Sequence, residues 1–374
     1  MPAGRPDLTV SEVSDAAGLR DFIEFPYAHY RGDPCWVPPL RNSVRKQLSE
    51  HPFNRYARSR YFLARREGVV VGRIAAVLNP RYNEVHAVSA GFFGFFESED
   101  DPRTARALLE AASAALSGMG AKTMLGPASP SSNAEFGLLV SGFDRMPSVI
   151  MPYHRPYYAR LLESFGLAKA KDLLAYEMRQ ESLNHATLKL FEKIAARHAK
   201  VTIRELDMRR FASELDVVVK LYNEAWEKNW GFCPMTEDEL RFEAAELKDV
   251  IDPRVALFAE VEGKPVAFSL SIPDINPALK AAGGDLFPLG FLRFLWAKRG
   301  IRKLRTLLLG VASAHRGKGL DGVLVGETVR RGLAAGYDVA ECSWVLEDNL
   351  KMRSAIERLG GVVTQTYRVY EKLL

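Results

Sequence analysis

The sequence has few cysteines and no long apolar run, and both absences narrow the class of protein. Its three cysteines, Cys35, Cys233 and Cys342, are far apart and form no CxxC pair, so we expect neither a disulfide framework nor a metal site. No uninterrupted stretch reaches the roughly 18 apolar residues that a membrane-spanning helix needs. The first residues lack the apolar segment of a signal peptide. These absences predict a protein of the reducing cytoplasm.

The sequence also lacks a large excess of charge of one sign. The chain has 51 basic and 46 acidic residues, a net charge of +5 and a pI near 9.0. This mild excess suits an anionic ligand or an anionic membrane surface. No strand platform of alternating aromatic and basic residues is visible, so we expect no nucleic-acid partner. The phosphate-binding pattern GxxxxGK[ST] is absent too, which excludes a P-loop nucleotidase.

The chain is long enough for two domains and carries signs of an internal duplication. It has 374 residues, 47% of them hydrophobic. The segment YFLARREGVVVGRI (61–74) resembles ALFAEVEGKPVAFS (256–269), 195 positions later. Gly166 and Gly360, 194 positions apart, each precede a Tyr-Glu pair by ten residues. Two landmarks at nearly one spacing predict two copies of one domain, 1–180 and 181–374, joined near 179–188.

Both copies show the same order of strand-like and helix-like patterns, which predicts an α/β fold with mixed sheets flanked by helices. In the first copy we predict hairpin 61–78, strand 90–97, helix 103–117, strand 122–126, helix 156–165 and strands 168–178. In the second copy we predict strand 201–206, helices to about 250, hairpin 254–272, strand 304–311, helix 318–335, strand 338–344, helix 349–359 and a last strand pair.

The segment GVASAHRGKGLD (310–321) lies where a predicted strand becomes a helix. Glycines at 317 and 319 let the backbone approach a ligand closely. The free N–H groups and the dipole of the following helix favour an anion there, and Arg316 and Lys318 add positive charge. The pattern therefore indicates a pyrophosphate cradle. The alternative is an ordinary glycine-containing turn with two solvated cations.

Arg316-Gly317-Lys318-Gly319-Leu320 resembles the RxxGxG/A signature of the GCN5-related N-acetyltransferases (the GNAT superfamily). The helix that Asn349 opens and Leu359-Gly360 ends is similar in spacing to a second motif of that family. The order of elements fits the family in both copies, so the resemblance covers nearly the whole chain. It implies two tandem GNAT-like domains, each with a mostly antiparallel mixed sheet.

The resemblance also implies that the second copy binds acetyl-CoA or a longer acyl-CoA and transfers the acyl group to an amine. The positions that match the family's cofactor-binding residues are Leu309, Gly310, Val311, Arg316, Gly317, Lys318, Gly319, Leu320, Asp321 and Asn349. Gly361 departs from the family pattern where a Phe is usual, and two further departures bear on the chemistry. Asp321 replaces a final Gly or Ala, and Ile356 replaces the frequent tyrosine that protonates the leaving thiolate.

The corresponding corner of the first copy, GFFGFFESEDDPRTARALLEAAS, carries acidic residues where a phosphate would bind: Glu97, Glu99, Asp100 and Asp101. Acids suit the start of a helix but repel a phosphate. We interpret the first copy as a degenerate domain that shapes the acceptor site.

Amide formation requires a group that accepts the proton of the attacking amine. Glu341, in the mostly apolar strand VAECSWVL, is the candidate base, and the alternative is that it pairs with a buried cation. Tyr367 is the candidate replacement for the missing tyrosine, and its alternative is a core position.

The segment LFPLGFLRFLWAKRGIRKLR (286–305) mixes aromatic and basic residues. This mixture is typical of a membrane interface or of a site for a long acyl chain, and the alternative is a buried linker helix. If the segment contacts lipid, the protein resembles the bacterial ceramide synthases, which transfer a long acyl chain to a lipid amine. A non-catalytic sensor of acyl-CoA is the third possibility, favoured by Ile356 and Asp321. Under the two enzyme hypotheses the acceptor is a small-molecule amine or a lipid amine, and under the sensor hypothesis there is no acceptor.

Overall fold

Most of the strands form two sheet segments of the same construction, one in each half of the strand order. The computed structural model describes residues 7–198, 200–226 and 229–374. Its strands are β1 (Leu8–Glu12), β2 (Arg58–Arg66), β3 (Val69–Leu78), β4 (Ala90–Ser98), β5 (Thr123–Gly126), β6 (Ala128–Ser129), β7 (Glu135–Phe136), β8 (Leu138–Ser141), β9 (Ala168–Arg179), β10 (Val201–Glu205), β11 (Ala256–Val261), β12 (Lys264–Pro273), β13 (Lys303–Val311), β14 (Val339–Leu346) and β15 (Val362–Leu373).

Helices cover these sheets. They are α1 (Ala16–His29), α2 (Arg41–Ser49), α3 (Pro80–His86), α4 (Pro102–Gly118), α5 (Tyr158–Ser164), α6 (His185–Arg197), α7 (Phe211–Trp226), α8 (Glu237–Leu247), α9 (Asn276–Ala282), α10 (Gly290–Lys298), α11 (Leu320–Ala334) and α12 (Leu350–Arg358).

The chain folds into two compact units, and neither is continuous in sequence. The first unit consists of the chain up to Asp172 with Leu279–Phe294 and Thr366–Leu374. The second consists of Leu173–Ala278 and Leu295–Gln365. Each unit therefore includes a strand end from the other half of the sequence: the end of β15 in the first and the end of β9 in the second. The predicted domains 1–180 and 181–374 describe the duplication and stay a prediction.

The two units repeat one strand order. In the first, β1, β2, β3 and β4 are antiparallel neighbours, β4 and β5 are parallel, and the end of β15 pairs antiparallel with β5. In the second, β10 to β13 are antiparallel neighbours, β13 and β14 are parallel, and the end of β9 pairs antiparallel with β14. This arrangement confirms the predicted α/β fold with mostly antiparallel mixed sheets.

One long helix packs on each sheet and closes its core. Helix α4 begins at Pro102, whose missing N–H costs nothing there, and Asp101 caps it by accepting from the Arg103 N–H. Its apolar face, which includes Leu108 and Ala112, is fully buried against the first sheet. Helix α11 occupies the same place in the second unit, where Leu320 and Leu324 pack against β11 and β12.

Three details differ from the sequence-based expectations. The predicted linker near 179–188 contains the start of helix α6 at His185. The predicted terminal strand pair is the single strand β15. The segment 273–290, for which the sequence predicts no element, contains helix α9.

Candidate functional site

The two parallel strands of the second unit separate halfway along their length. Their ladder has four pairs, from Lys303 opposite Val339 to Thr306 opposite Cys342. Beyond it, β13 stays paired with β12 as far as Val311. Within the described residues, no strand pairs with the other edge of β13 at 307–311. The N–H and C=O groups on that edge therefore have no partner strand among those described, and an extended ligand can add there like a strand.

A bulge explains where the strands part. Between β12 and β13 the register shifts: Leu270 lies opposite Leu308, while Ser271 lies opposite Thr306. Leu307 is therefore an extra residue on β13. A bulge bends its strand and increases the local twist, and this one begins just where the ladder with β14 ends.

The segment after β13 has the backbone of the predicted cradle. Gly317 and Gly319 have φ values of +74° and +82°, in the left-handed region that favours glycine. Gly319 is the N-cap of α11 and has no side chain to cap it. The N–H groups of the first turn, 320–322, therefore lack intrahelical acceptors and, together with the helix dipole, favour an anion.

Arg316 has a supporting role that the sequence did not reveal. Its Nη2 donates to the carbonyl oxygens of Glu224 at 2.9 Å and Ala225 at 3.1 Å, in the last turn of α7. Its Nε donates to the Val311 carbonyl at 3.3 Å. The guanidinium thus ties the cradle to α7 and to the end of β13. Both Arg316 and Lys318 are exposed.

Helix α6 supports the cradle from another direction. His198 Nε2 donates to the Lys318 carbonyl at 2.7 Å. A Cβ on Gly319 would lie 2.9 Å from Ile194 Cγ2, and one on Gly322 would lie 2.9 Å from Phe191. Glycines on α11 therefore allow α6 to pack closely. The signal in the sequence was the row of small residues in α11, but nothing in it identified α6 as the partner.

The strand residues predicted to bind the cofactor present mainly their backbone. The side chains of Leu309 and Val311 pack with Leu320 and Leu324 in the core. Gly310 faces α7, where an added Cβ would lie 2.8 Å from Trp226. A ligand at this edge would therefore contact N–H and C=O groups rather than side chains.

Asn349 and the two residues that depart from the family pattern, Asp321 and Ile356, each have an ordinary structural role. Asn349 caps α12, since its side-chain oxygen accepts from the Met352 N–H at 3.2 Å. Asp321 lies in the first turn of α11, where a carboxylate suits the dipole. Ile356 is buried with Tyr176 and Val345 in a core cluster.

Glu341 is only 1% exposed and has charged and polar partners. It lies 3.2 Å from Lys303 Nζ, which is also 3.5 Å from Glu177. Ser343, just past the end of the ladder, donates its hydroxyl to Glu341 at 2.8 Å and accepts from Arg305 Nε at 3.1 Å. Glu341 thus has the ion pair that the structural alternative requires. It also has a hydroxyl between it and the place where the strands separate.

The other candidates are less reactive or lie elsewhere. Burial and the nearby Glu341 carboxylate raise the pKa of Cys342 to about 12, so it is a thiol at neutral pH. Tyr367 is fully buried in the first unit, opposite Leu139 of β8. The structure therefore assigns the two predicted catalytic residues, Glu341 and Tyr367, to different units.

The parallel strands of the first unit also separate, but the chain itself fills the gap. The ladder of β4 and β5 has three pairs and ends at Phe92 and Leu125. The Phe95 N–H then donates to Ser129 Oγ at 2.8 Å. A Cβ on Gly94 would lie 1.7 Å from the Ala128 carbonyl oxygen. The segment that contains β6 therefore occupies the space that stays open along β13.

Each acid of the first unit's corner already has a partner. Glu97 accepts from the hydroxyls of Tyr30 and Tyr158, both at 2.6 Å. Glu99 lies 2.8 Å from Arg66, and Asp100 pairs with Arg160. Asp101 caps α4. These contacts give the corner a role in folding and leave its charge unsuited to phosphate.

The described residues contain neither a membrane-spanning helix nor a cluster of metal ligands. No helix in this part of the chain is long and apolar enough to cross a bilayer. No group of three or more His, Cys, Asp or Glu side chains there could hold a metal ion.

Comparison with known proteins gives two close relatives and a common fold. No protein-family profile matches the chain. The chain is 36% identical to Protein YghO of Escherichia coli (strain K12) over 363 residues, covering 95% of this chain and 92% of that protein. It is also 36% identical to the bacterial ceramide synthase of Caulobacter vibrioides (strain NA1000 / CB15N), covering 98% of both. Among solved structures it is similar to a tandem GNAT protein from the clavulanic acid biosynthesis pathway. The TM-score is 0.59 and the identity 12%, over 98% of both chains.

Proposed function

The chain belongs to the family of Protein YghO and the bacterial ceramide synthase, and its fold is that of a tandem GNAT protein. On this premise we propose that it transfers a long acyl chain from acyl-CoA to the amine of a lipid. The observation that carries the proposal is the open edge of β13 beside the glycine cradle. One relative is named for making a lipid amide, which favours a lipid acceptor over a small water-soluble amine.

The cradle and the open edge fit the two ends of CoA. The pyrophosphate would bind the N–H groups at 317–322, with Lys318 exposed beside them. The pantetheine arm, which has two amides, would pair with the backbone of 309–311 as an added strand. Arg316 would hold the cradle in place from behind. Asn349 would contact the arm only at the start of α12.

The reaction needs one bond formed, one broken and one proton moved. The amine nitrogen attacks the thioester carbonyl carbon, so that a C–N bond forms and the C–S bond breaks. The amine loses a proton, and the leaving thiolate gains a proton. A backbone N–H on the open edge, with Val311 as the candidate, would stabilise the oxyanion of the intermediate.

Ser343 and Glu341 offer a route for the amine proton. Ser343 is the first residue beyond the paired part of the strand that faces β13, and its hydroxyl already donates to Glu341. The amine would pass its proton to Ser343 Oγ while Ser343 passes its own to Glu341. Lys303 would stabilise Glu341 as a carboxylate before transfer. The role of Tyr367 as the acid that protonates sulfur stays a prediction from the sequence.

The central test is the acyl length and the acceptor. We expect palmitoyl-CoA with a C18 2-amino-1,3-diol to be turned over with a kcat/KM at least about tenfold above acetyl-CoA, because burial of each methylene stabilises the complex. Thiol release and the N-acyl product should be measured together. Equal use of acetyl-CoA would contradict the long-chain proposal. Tight binding without thiol release would identify a sensor instead.

A second experiment tests the cradle. Gly317→Val should weaken CoA binding by about tenfold or more, because a β-branched residue resists φ near +74° and would reshape the loop. Gly263→Val is the matched control, since Gly263 also has φ +74° and open space around it but lies in the β11–β12 hairpin. Calorimetry measures affinity and melting temperature measures strain. Equal affinities for both variants would place CoA elsewhere.

The two units should differ in CoA binding. We expect one CoA per chain by calorimetry, because the first unit's gap is filled by its own backbone and its corner is acidic. Two equivalent sites in a titration would show that the filled gap opens, and the interpretation of the first unit as degenerate would be wrong.

A fourth prediction concerns the proton route. Glu341→Gln should lower turnover by about a hundredfold or more with CoA affinity unchanged, and high pH should partly restore it because more of the amine is then neutral. Ser343→Ala should lower turnover in the same direction, and Tyr367→Phe tests the acid. A purely structural Glu341 gives another result: the Lys303 pair is lost, stability falls by about 3–5 kcal/mol, and turnover per folded molecule stays normal.

A further inference from the structure

The exposed aromatic residues of the chain are concentrated in one short segment. The sequence has 20 phenylalanines and five tryptophans. Of the phenylalanines and tryptophans among the described residues, only three are exposed. They are Phe287, Phe291 and Trp296, with exposed fractions of 90%, 51% and 77%. Leucines 286, 289, 292 and 295 are exposed in the same segment. Single exposed apolar residues are normal, but a continuous group marks a binding surface.

Helix α10 presents its apolar side to solvent. At 100° per residue, Phe291, Leu292, Leu295 and Trp296 fall on one face. All four are exposed, whereas Phe294 and Ala297, on the opposite side, are partly buried. A helix that only covered a core would have the reverse orientation. Burial of the exposed aromatic side chains would stabilise a complex, and the folded chain alone does not bury them.

The loop before α10 is held in place by several contacts. Arg41 lies 2.7 Å from Asp285, and its N–H donates to the Gly284 carbonyl at 3.0 Å. The Phe291 N–H donates to the Leu286 carbonyl at 2.6 Å. A Cβ on Gly290 would lie 1.8 Å from the Asp285 carbonyl oxygen, so only glycine fits there. These contacts fix the loop, and Phe287 at its tip points to solvent as part of an ordered structure.

The charges within 286–305 are all positive, and the one acid at the start of the loop, Asp285, pairs with Arg41. No Asp or Glu occurs from 286 to 305. Arg293 on α10 and Arg299 just after its end are exposed, whereas Arg302 pairs with Asp338, Lys303 with Glu341, and Arg305 is buried. Two arginines beside exposed aromatics match the phosphates above an acyl layer. A second copy of the same surface would instead bring like charges together.

We propose that the loop 285–290 and helix α10 form a docking surface for an anionic lipid bilayer. Phe287, Phe291, Leu292 and Trp296 enter the boundary between headgroups and acyl chains, and Arg293 and Arg299 contact lipid phosphates. This assignment does not depend on acyl transfer, since it concerns where the chain binds and not what it catalyses.

The test is sedimentation of the full chain with vesicles, without acyl-CoA. We expect binding to vesicles of equal parts phosphatidylglycerol and phosphatidylcholine, and at least about tenfold weaker binding to phosphatidylcholine alone. The double variant Phe287→Glu, Trp296→Glu should lose at least about tenfold in partitioning. The matched control Val69→Glu, Leu373→Glu changes residues that are 66% and 79% exposed elsewhere, and should bind normally.

Two further measurements separate the contributions. Arg293→Gln with Arg299→Gln should remove most of the preference for phosphatidylglycerol and leave the weak binding to phosphatidylcholine. Trp296 fluorescence should shift to the blue on binding and be quenched by brominated acyl chains, and Trp296→Phe should abolish this signal. The proposal would be overturned if the Phe287→Glu, Trp296→Glu variant bound vesicles as well as the Val69→Glu, Leu373→Glu control. A concentration-dependent dimer that the Phe287→Glu, Trp296→Glu variant abolishes would also overturn it, because a second copy would then cover the surface.

Discussion

The candidate site depends on one constraint of β-structure: a strand that loses a neighbour must satisfy its backbone in another way. In each unit a parallel pair begins together and then separates, after Thr306 and Cys342 in one unit and after Phe92 and Leu125 in the other. The first unit satisfies the separated edge with its own chain at Ala128 and Ser129. The second leaves 307–311 open. The same fold thus gives a closed gap in one copy and a ligand-binding edge in the other.

The cradle needs support because its own backbone is permissive. Two glycines in the left-handed region provide N–H groups that point outward, but such residues lose more conformational entropy on folding than any others. Contacts from two neighbouring helices stabilise the loop. Arg316 donates to carbonyls of α7, and His198, just after α6, donates to the carbonyl of Lys318. One cation of the motif therefore holds the loop, and the other is free to face an anion. Preorganisation of this kind reduces the entropy that ligand binding would otherwise cost.

Local patterns predicted much of this arrangement, and contacts between distant residues account for what they missed. The strand-to-helix corner at 310–321 was predictable because glycine and helix-start signals lie within a dozen residues. The alternation along β14 indicated that Glu341 and Ser343 share a face, but not that Lys303 and Arg305 lie beside them, since that requires the register of the ladder. Helix α6 was missed because its partners are glycines on α11, more than a hundred residues away. The exchange of β9 and β15 ends between the units follows no local signal.

An acyltransferase that acts on a lipid amine has to bind one substrate from water and the other from the bilayer. A long-chain amine resides in the bilayer, whereas acyl-CoA carries several negative charges that keep its head in water. A protein with a polar cradle at 317–322 and an exposed apolar helix at 290–298 has one surface suited to each. The cradle uses backbone N–H groups, which keep their charge distribution near an anionic membrane, while Arg293 and Arg299 are attracted to that membrane. A surface of this kind would raise the local concentration of an acceptor that water alone scarcely dissolves.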